Sequence, residues 1–185
     1  MRILMLGNSF TFYNHMPEML AEITGAQVAA HTRGGARLAE HLNPNTKMGA
    51  ATLRALREEK WDYVVLQEMS NGPVVSKASF LKSASALCEK IRDAGAVPVL
   101  YATWAYQKDS GKMASMNMSY DEMYQAMYDA YHQAAEDNGA LIADVGKAFY
   151  ELSEKYRLYA SDGCHPSEKG SEIAAGLLAE TVTHK

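Results

Sequence analysis

The stretch Trp61-Asp62-Tyr63-Val64-Val65-Leu66-Gln67-Glu68-Met69-Ser70-Asn71-Gly72-Pro73 changes character at its middle. The first half, Trp61–Leu66, reads as a strand whose continuous apolar tail fits one covered on both faces rather than one lying half in water. The second half is abruptly polar and closes on glycine and proline, which punctuate structure rather than extend a strand. A doubly covered strand requires a layer of helices on each side, and the flanking sequence supplies them.

Upstream, Ile3–Leu6 reads as a short buried strand ending at Gly7, and Gln27–His31 as a second strand closed by Gly34-Gly35. Between them Met16, Met19, Leu20 and Ile23 keep helical spacing, with Asn14 placed as the N-cap. Residues 38–58 read as helix interrupted near Asn43-Pro44-Asn45. Downstream, residues 79–94 are amphipathic and stop at Gly95, and Ala96–Ala102 forms a fourth strand. Ser119-Tyr120-Asp121-Glu122 has the pattern of a capping box. It opens a helix whose apolar face is Tyr120, Met123, Tyr124, Met127, Tyr131 and Ala134. Leu141–Ala143 is a fifth strand, and a last helix runs from Glu168 to Val182. Strands alternating with helices predict an α/β fold: a parallel sheet between two helical layers, joined by right-handed crossovers. The 185 residues suit one domain, 1–185.

The bulk numbers exclude several function classes. With 48% apolar residues, 22% charged residues and a net charge of -4, the chain has no basic footprint for nucleic acid and no polybasic membrane patch. The N-terminal apolar run is too short for an export signal, and no segment has the length to span a bilayer, so a cytoplasmic protein is expected. Cys88 and Cys164 are too few for a disulfide framework. His15, His31, His41, His132 and His184 follow no metal-ligand spacing, and no metal or cofactor is expected.

In parallel α/β sheets ligands bind outside the carboxyl ends of the strands, so the residues that follow each strand deserve the closest reading. Ser9, just past Gly7, is either the cap of a turn or a nucleophile held at the strand tip. Asp162 and His165, in Asp162-Gly163-Cys164-His165-Pro166, are spaced so that a carboxylate can accept a hydrogen bond from imidazole Nδ1 and leave Nε2 as a base. Gly34-Gly35 is either a plain tight turn or a place where a bare N–H faces a ligand. Gln67, Ser70 and Asn71 carry donors able to reach a developing oxyanion, whereas Glu68 is either an acid/base group or a structural acceptor. The connection 103–118 is long. Its Trp104 and Tyr106 either wall the site or pack in the core.

Taken in order, Gly7-Asn8-Ser9-Phe10, Gly34-Gly35, Leu66–Asn71 and Asp162-x-x-His165-Pro166 resemble the four blocks of the SGNH hydrolases, the GDSL-like esterase/lipase superfamily. The third block is similar to an L-Q-E-x-S variant, and Asn8 stands where Asp is commoner. The resemblance implies a flavodoxin-like three-layer α/β/α fold with a five-stranded parallel sheet. It implies a serine esterase acting on small acyl esters, acetyl or short-chain, of carbohydrates among other alcohols. Ser9 would be the nucleophile, His165 the base and Asp162 its orienting acid. The N–H groups of Ser9 and Gly35, with an amide from Gln67 or Asn71, would hold the oxyanion, and Ser70 and Trp104 would line the substrate site. The competing reading is a non-catalytic sugar- or anion-binding module on the same fold.

Overall fold

Three runs of solvent-free apolar residues, Ile3–Leu6, Val64–Leu66 and Val99–Tyr101, form the middle of the sheet. In the computed structural model, which describes residues 1–183 and leaves His184 outside, they belong to β1 (Arg2–Gly7), β3 (Tyr63–Leu66) and β4 (Val97–Tyr101). The outer strands are β2 (Gln27–Thr32) and β5 (Leu141–Ala143), and the order is β2-β1-β3-β4-β5 with every pairing parallel. Leu6 pairs with His31 on one side and Leu66 on the other, and Leu66 pairs with Leu100. All five strands therefore end at one edge. The chain leaves β1 toward β2 and returns to pair β3 on the other side of β1. The segments that follow β1 and β3 thus flank the switch point where such sheets bind ligands.

Among the described residues ten α-helices surround the sheet: α1 (Ser9–Phe12), α2 (Met16–Thr24), α3 (Leu38–His41), α4 (Lys47–Glu58), α5 (Gly72–Val75), α6 (Lys77–Asp93), α7 (Gly111–Ala114), α8 (Tyr120–Asn138), α9 (Val145–Leu152) and α10 (Glu168–Thr183). α2 packs against α10 on one face, while α6 packs against α3 and α8 on the other. The expected capping box is present at α8, where the Ser119 hydroxyl accepts from the Glu122 N–H and the Glu122 carboxylate accepts from the Ser119 N–H. Met123, Met127, Tyr131 and Ala134 of its apolar face are buried. Among the described residues no helix is long and apolar enough to cross a membrane. Cys88 and Cys164 are free and buried.

The structure differs from the sequence-based expectations at several positions. Asn14 is not the N-cap of α2, because Asn14 and His15 both take left-handed backbone conformations with φ of 53° and 57°. Each such residue costs on the order of 1 kcal/mol for a side chain other than glycine, so tertiary contacts must hold the turn. β3 begins at Tyr63 rather than Trp61, whose indole N–H turns away to the Ala55 carbonyl at 3.1 Å. α9 had no counterpart in the sequence reading. The connection 103–118 is ordered by α7 and its Ser110 N-cap. Trp104 does not wall the site. Its ring is solvent-free and stacked between Phe10 (4.7 Å) and Phe149 (4.0 Å), and its N–H donates to the Cys164 carbonyl at 3.0 Å.

Truncating that ring leaves a cavity between three segments and a buried carbonyl without its donor. Trp104→Ala is expected to lower the unfolding free energy by about 3–5 kcal/mol, read as a lower urea midpoint at unchanged slope.

Candidate active site

The turn after β1 is held by polar groups that the sheet edge brings together. The Asn8 N–H donates to Gln67 Oε1 at 2.9 Å, and the Thr11 hydroxyl donates to the same oxygen at 2.9 Å. A Cβ on Gly7 would lie 2.4 Å from Thr11 Oγ1 and 2.6 Å from Gln67 Oε1, so glycine is required here by close approach and not by backbone angle. Asn8 is itself buried and caps α1, its Oδ1 accepting from the Phe10 N–H at 3.1 Å. Its Nδ2 donates to the Ala36 carbonyl at 2.9 Å, which ties this turn to the Gly34-Gly35 turn. Ser9 is the first residue of α1, so its N–H has no carbonyl one turn back to bond.

The loop before α10 brings the second half of the site. Asp162 Oδ1 accepts from the N–H groups of Cys164 and His165, both at 3.0 Å. Gly163 at φ 67° makes that wrap feasible, and a Cβ there would strike Ser110. His165 Nδ1–H donates to Asp162 Oδ2 at 2.5 Å, and the Ser9 hydroxyl lies 2.9 Å from Nε2. Partial burial pushes the Asp162 carboxyl up, but the His165 ring and the two backbone N–H groups outweigh it and hold the carboxyl below the usual range. An ionised Asp162 at Nδ1 leaves Nε2 as the acceptor toward the serine hydroxyl. This is the arrangement that activates a weak nucleophile.

Aromatic rings frame the imidazole. Tyr13 stacks on it with centroids 4.6 Å apart and planes 20° apart, and Phe10 meets it edge-on at 5.6 Å. Phe12 and Tyr13, partly exposed, line a recess of about 550 Å³ together with Glu168 and Glu172.

The remaining predicted positions fare differently. Gly35 sits on the exposed second turn at φ 68°. Gln67 is solvent-free and engaged at both ends, its Oε1 as described and its Nε2 donating to the Glu68 carbonyl, so it presents no donor to a ligand. Its place directly after a doubly buried strand turns the amide back into the fold. Ser70 shares a 2.9 Å hydrogen bond with the Tyr106 hydroxyl. Among the described residues the hydrogen-bond partner of Asn71 Nδ2 is the Met116 sulfur, at 3.6 Å, and a thioether is a weak acceptor. Glu68 is a structural acceptor for the N–H groups of Met69 (2.7 Å) and Leu38 (3.3 Å). Burial pushes its carboxyl up against those two bonds. Trp104 belongs to the core. Among the described residues no group of three or more His, Cys, Asp and Glu side chains is placed to hold a metal ion.

Sequence reasoning passed over Asn8 as a builder of the site, and placed Tyr13 with Phe12 only as a ring close to Ser9. Asn8 had one signal available, the preference for asparagine at helix N-caps. Tyr13 had only its proximity to Ser9.

The chain matches the GDSL-like Lipase/Acylhydrolase family over residues 5–173. Its fold is similar to that of a protein from Slackia heliotrinireducens assigned to the SGNH hydrolases, with 54% identity, TM-score 0.94 and 98% of each chain covered. It is also similar to a Bacteroides uniformis protein (23% identity, TM-score 0.77, covering 100% of this chain and 83% of that one). An acetylxylan esterase from Geobacillus stearothermophilus shares the fold at 14% identity and TM-score 0.73, with 100% and 94% covered. No curated protein sequence matches the chain.

Two outcomes test this geometry. Asn8→Asp replaces the donor at the Ala36 carbonyl with a carboxylate oxygen in a buried position, and is expected to lower the unfolding free energy by roughly 1–3 kcal/mol in urea titrations. Asp162 has a lowered pKa in the fold, so its stabilisation is present above the ordinary carboxylate range and disappears as pH falls through the lowered value. Asp162→Asn is therefore expected to be less stable at neutral pH and to lose less stability on acidification, checked by thermal melts across the acid range.

Proposed function

The chain belongs to the GDSL-like lipase/acylhydrolase family and is a carboxylic ester hydrolase, and from that premise we propose that it cleaves small acyl esters through a Ser9–His165–Asp162 triad. The observation that carries this reading is the continuous hydrogen-bonded chain from Ser9 Oγ through the imidazole to Asp162. Residues from opposite ends of the sequence meet there at hydrogen-bonding distance.

In the first step Ser9 Oγ attacks the ester carbonyl carbon while His165 Nε2 accepts the hydroxyl proton. Asp162 stays ionised, keeps the proton on Nδ1 and stabilises the imidazolium. The carbonyl π electrons move to oxygen, and the oxyanion is received by the N–H groups of Ser9 and Gly35. The Asn8–Ala36 bond keeps those two turns together. Asn71, held only by a sulfur, is the side-chain amide left to complete the set, since Gln67 is engaged elsewhere. Each such donor is worth about 3 kcal/mol in the transition state. Collapse of the intermediate expels the alcohol, which takes the proton from Nε2. The acyl-Ser9 ester is then hydrolysed by water activated at the same nitrogen.

The acyl group is acetyl or short-chain and the alcohol a carbohydrate. Support comes from the exposed rings of Phe12 and Tyr13, the latter stacked on His165, which line one recess together with Glu168 and Glu172, because such rings stack on sugar faces and carboxylates accept from hydroxyls. The acetylxylan esterase that shares the fold is consistent with it.

Ser9→Ala is expected to lose at least about 10³-fold in kcat on p-nitrophenyl acetate with its melting temperature retained. A fluorophosphonate probe is expected to label the parent protein at Ser9. Retained activity in the variant removes Ser9 as nucleophile. Absence of labelling favours a sugar- or anion-binding module instead. A panel of p-nitrophenyl esters of increasing chain length, with acetylated sugars, reads the acyl and alcohol preference.

A further inference from the structure

The strained turn after α1 has no role in the steps above, yet it joins the two halves of the site. Asn14 and His15 take consecutive left-handed conformations that asparagine tolerates and histidine resists. The Asn14 side chain accounts for their persistence. Its Nδ2 donates to the Pro166 carbonyl at 3.0 Å and to Ser171 Oγ at 2.9 Å, and the Ser171 hydroxyl donates on to the Tyr13 carbonyl at 3.5 Å. Pro166 directly follows His165, and Tyr13 directly precedes Asn14. The bonded circuit therefore fixes the backbone on both sides of one contact, the Tyr13 ring stacked on the His165 imidazole.

From this geometry we propose that Asn14 is a positioning residue for His165, acting through Tyr13. The proposal rests on the catalytic reading of His165 given above. Asp162 fixes the imidazole along one hydrogen bond, about which the ring can still swing. The Tyr13 face removes that freedom and keeps Nε2 aimed at Ser9 Oγ. The same face lies against the ring when it becomes an imidazolium, within the range where an aromatic face attracts a cation. Strain stored in a turn next to reacting groups persists only where its surroundings over-determine it, and the three bonds at Asn14 and Ser171 do so. A turn that merely linked α1 to α2 would need none of them.

The test separates positioning from stability and from the esterase assignment. Asn14→Gly keeps the left-handed backbone accessible while removing both side-chain bonds. Tyr13→Leu removes the ring and leaves the turn. In the parent protein the His165 ring protons, observed by NMR on histidine-labelled full chain, are expected upfield of free histidine from the ring current of Tyr13. Both variants are expected to move them downfield, and Tyr13→Phe to restore the upfield position. On p-nitrophenyl acetate both are expected to lower kcat about tenfold with KM changed less than about twofold. Unmoved His165 resonances with unchanged kcat in either variant overturn the proposal, as does a loss of kcat with unmoved resonances. If Asn14→Gly does not fold, Ser171→Ala decides in its place, since it removes one Asn14 acceptor and the bond to the Tyr13 carbonyl while keeping the Tyr13 ring. The resonance positions read the stack even if the protein cleaves no ester, so failure of the esterase reading is distinguishable from failure of this one.

Discussion

The buried indole of Trp104 ties together three segments that are far apart in the chain. One face packs against Phe10 of the helix that begins with Ser9, and the other stacks on Phe149 of α9. Its N–H holds the carbonyl of Cys164, the residue before His165. A single rigid ring therefore sets the distance between the serine and the histidine from beneath. Ring stacking is tolerant of small shifts in the plane but steep along the normal. Trp104 thus fixes the approach of α1 toward the sheet, while the indole hydrogen bond fixes the height of the His165 loop.

Around this hub the polar groups at the sheet edge divide into those that build the turns and those that do not. Gln67 and Asn8 are builders. One amide gathers the Asn8 N–H and the Thr11 hydroxyl, and the other bridges to Ala36. Both are buried, and a buried amide left unpaired would cost about 1–3 kcal/mol, so full engagement is their stable state. The N–H groups of Ser9 and Gly35 and the Asn71 amide stand apart, because among the described residues they meet no strong acceptor. This division is decided by accounting for hydrogen bonds and not by residue type, since glutamine and asparagine offer the same chemistry.

Much of the architecture was legible before any coordinates. The doubly buried run Tyr63–Leu66, the helical stripe Met123–Ala134 and the capping box at Ser119 each follow from a local rule, and each element lies where its rule places it. α9 was not legible, because Val145–Leu152 is short and follows β5 with a single intervening residue. Its helical spacing is hard to separate from the apolar run before it. Asn14 misled for a related reason. Asparagine before a helix favours both N-caps and left-handed turns, and the choice between them was made by Pro166 and Ser171 on a distant segment.

The sequence by itself determined the alternation of strands and helices, and hence a parallel sheet with one functional edge. It also placed a serine, two glycines, a run of donors and an Asp-x-x-His pair at that edge. Those conclusions depend on periodicity and spacing, which are properties of neighbouring residues. Only the tertiary structure decided that Trp104 supports the site from the core, that Gln67 holds the Ser9 turn, and that Tyr13 lies on the imidazole. These are contacts between segments far apart in the chain. Whether a tryptophan or an amide ends in the core or faces a ligand depends on which partners folding brings within hydrogen-bonding or stacking distance, and no local pattern carries that information.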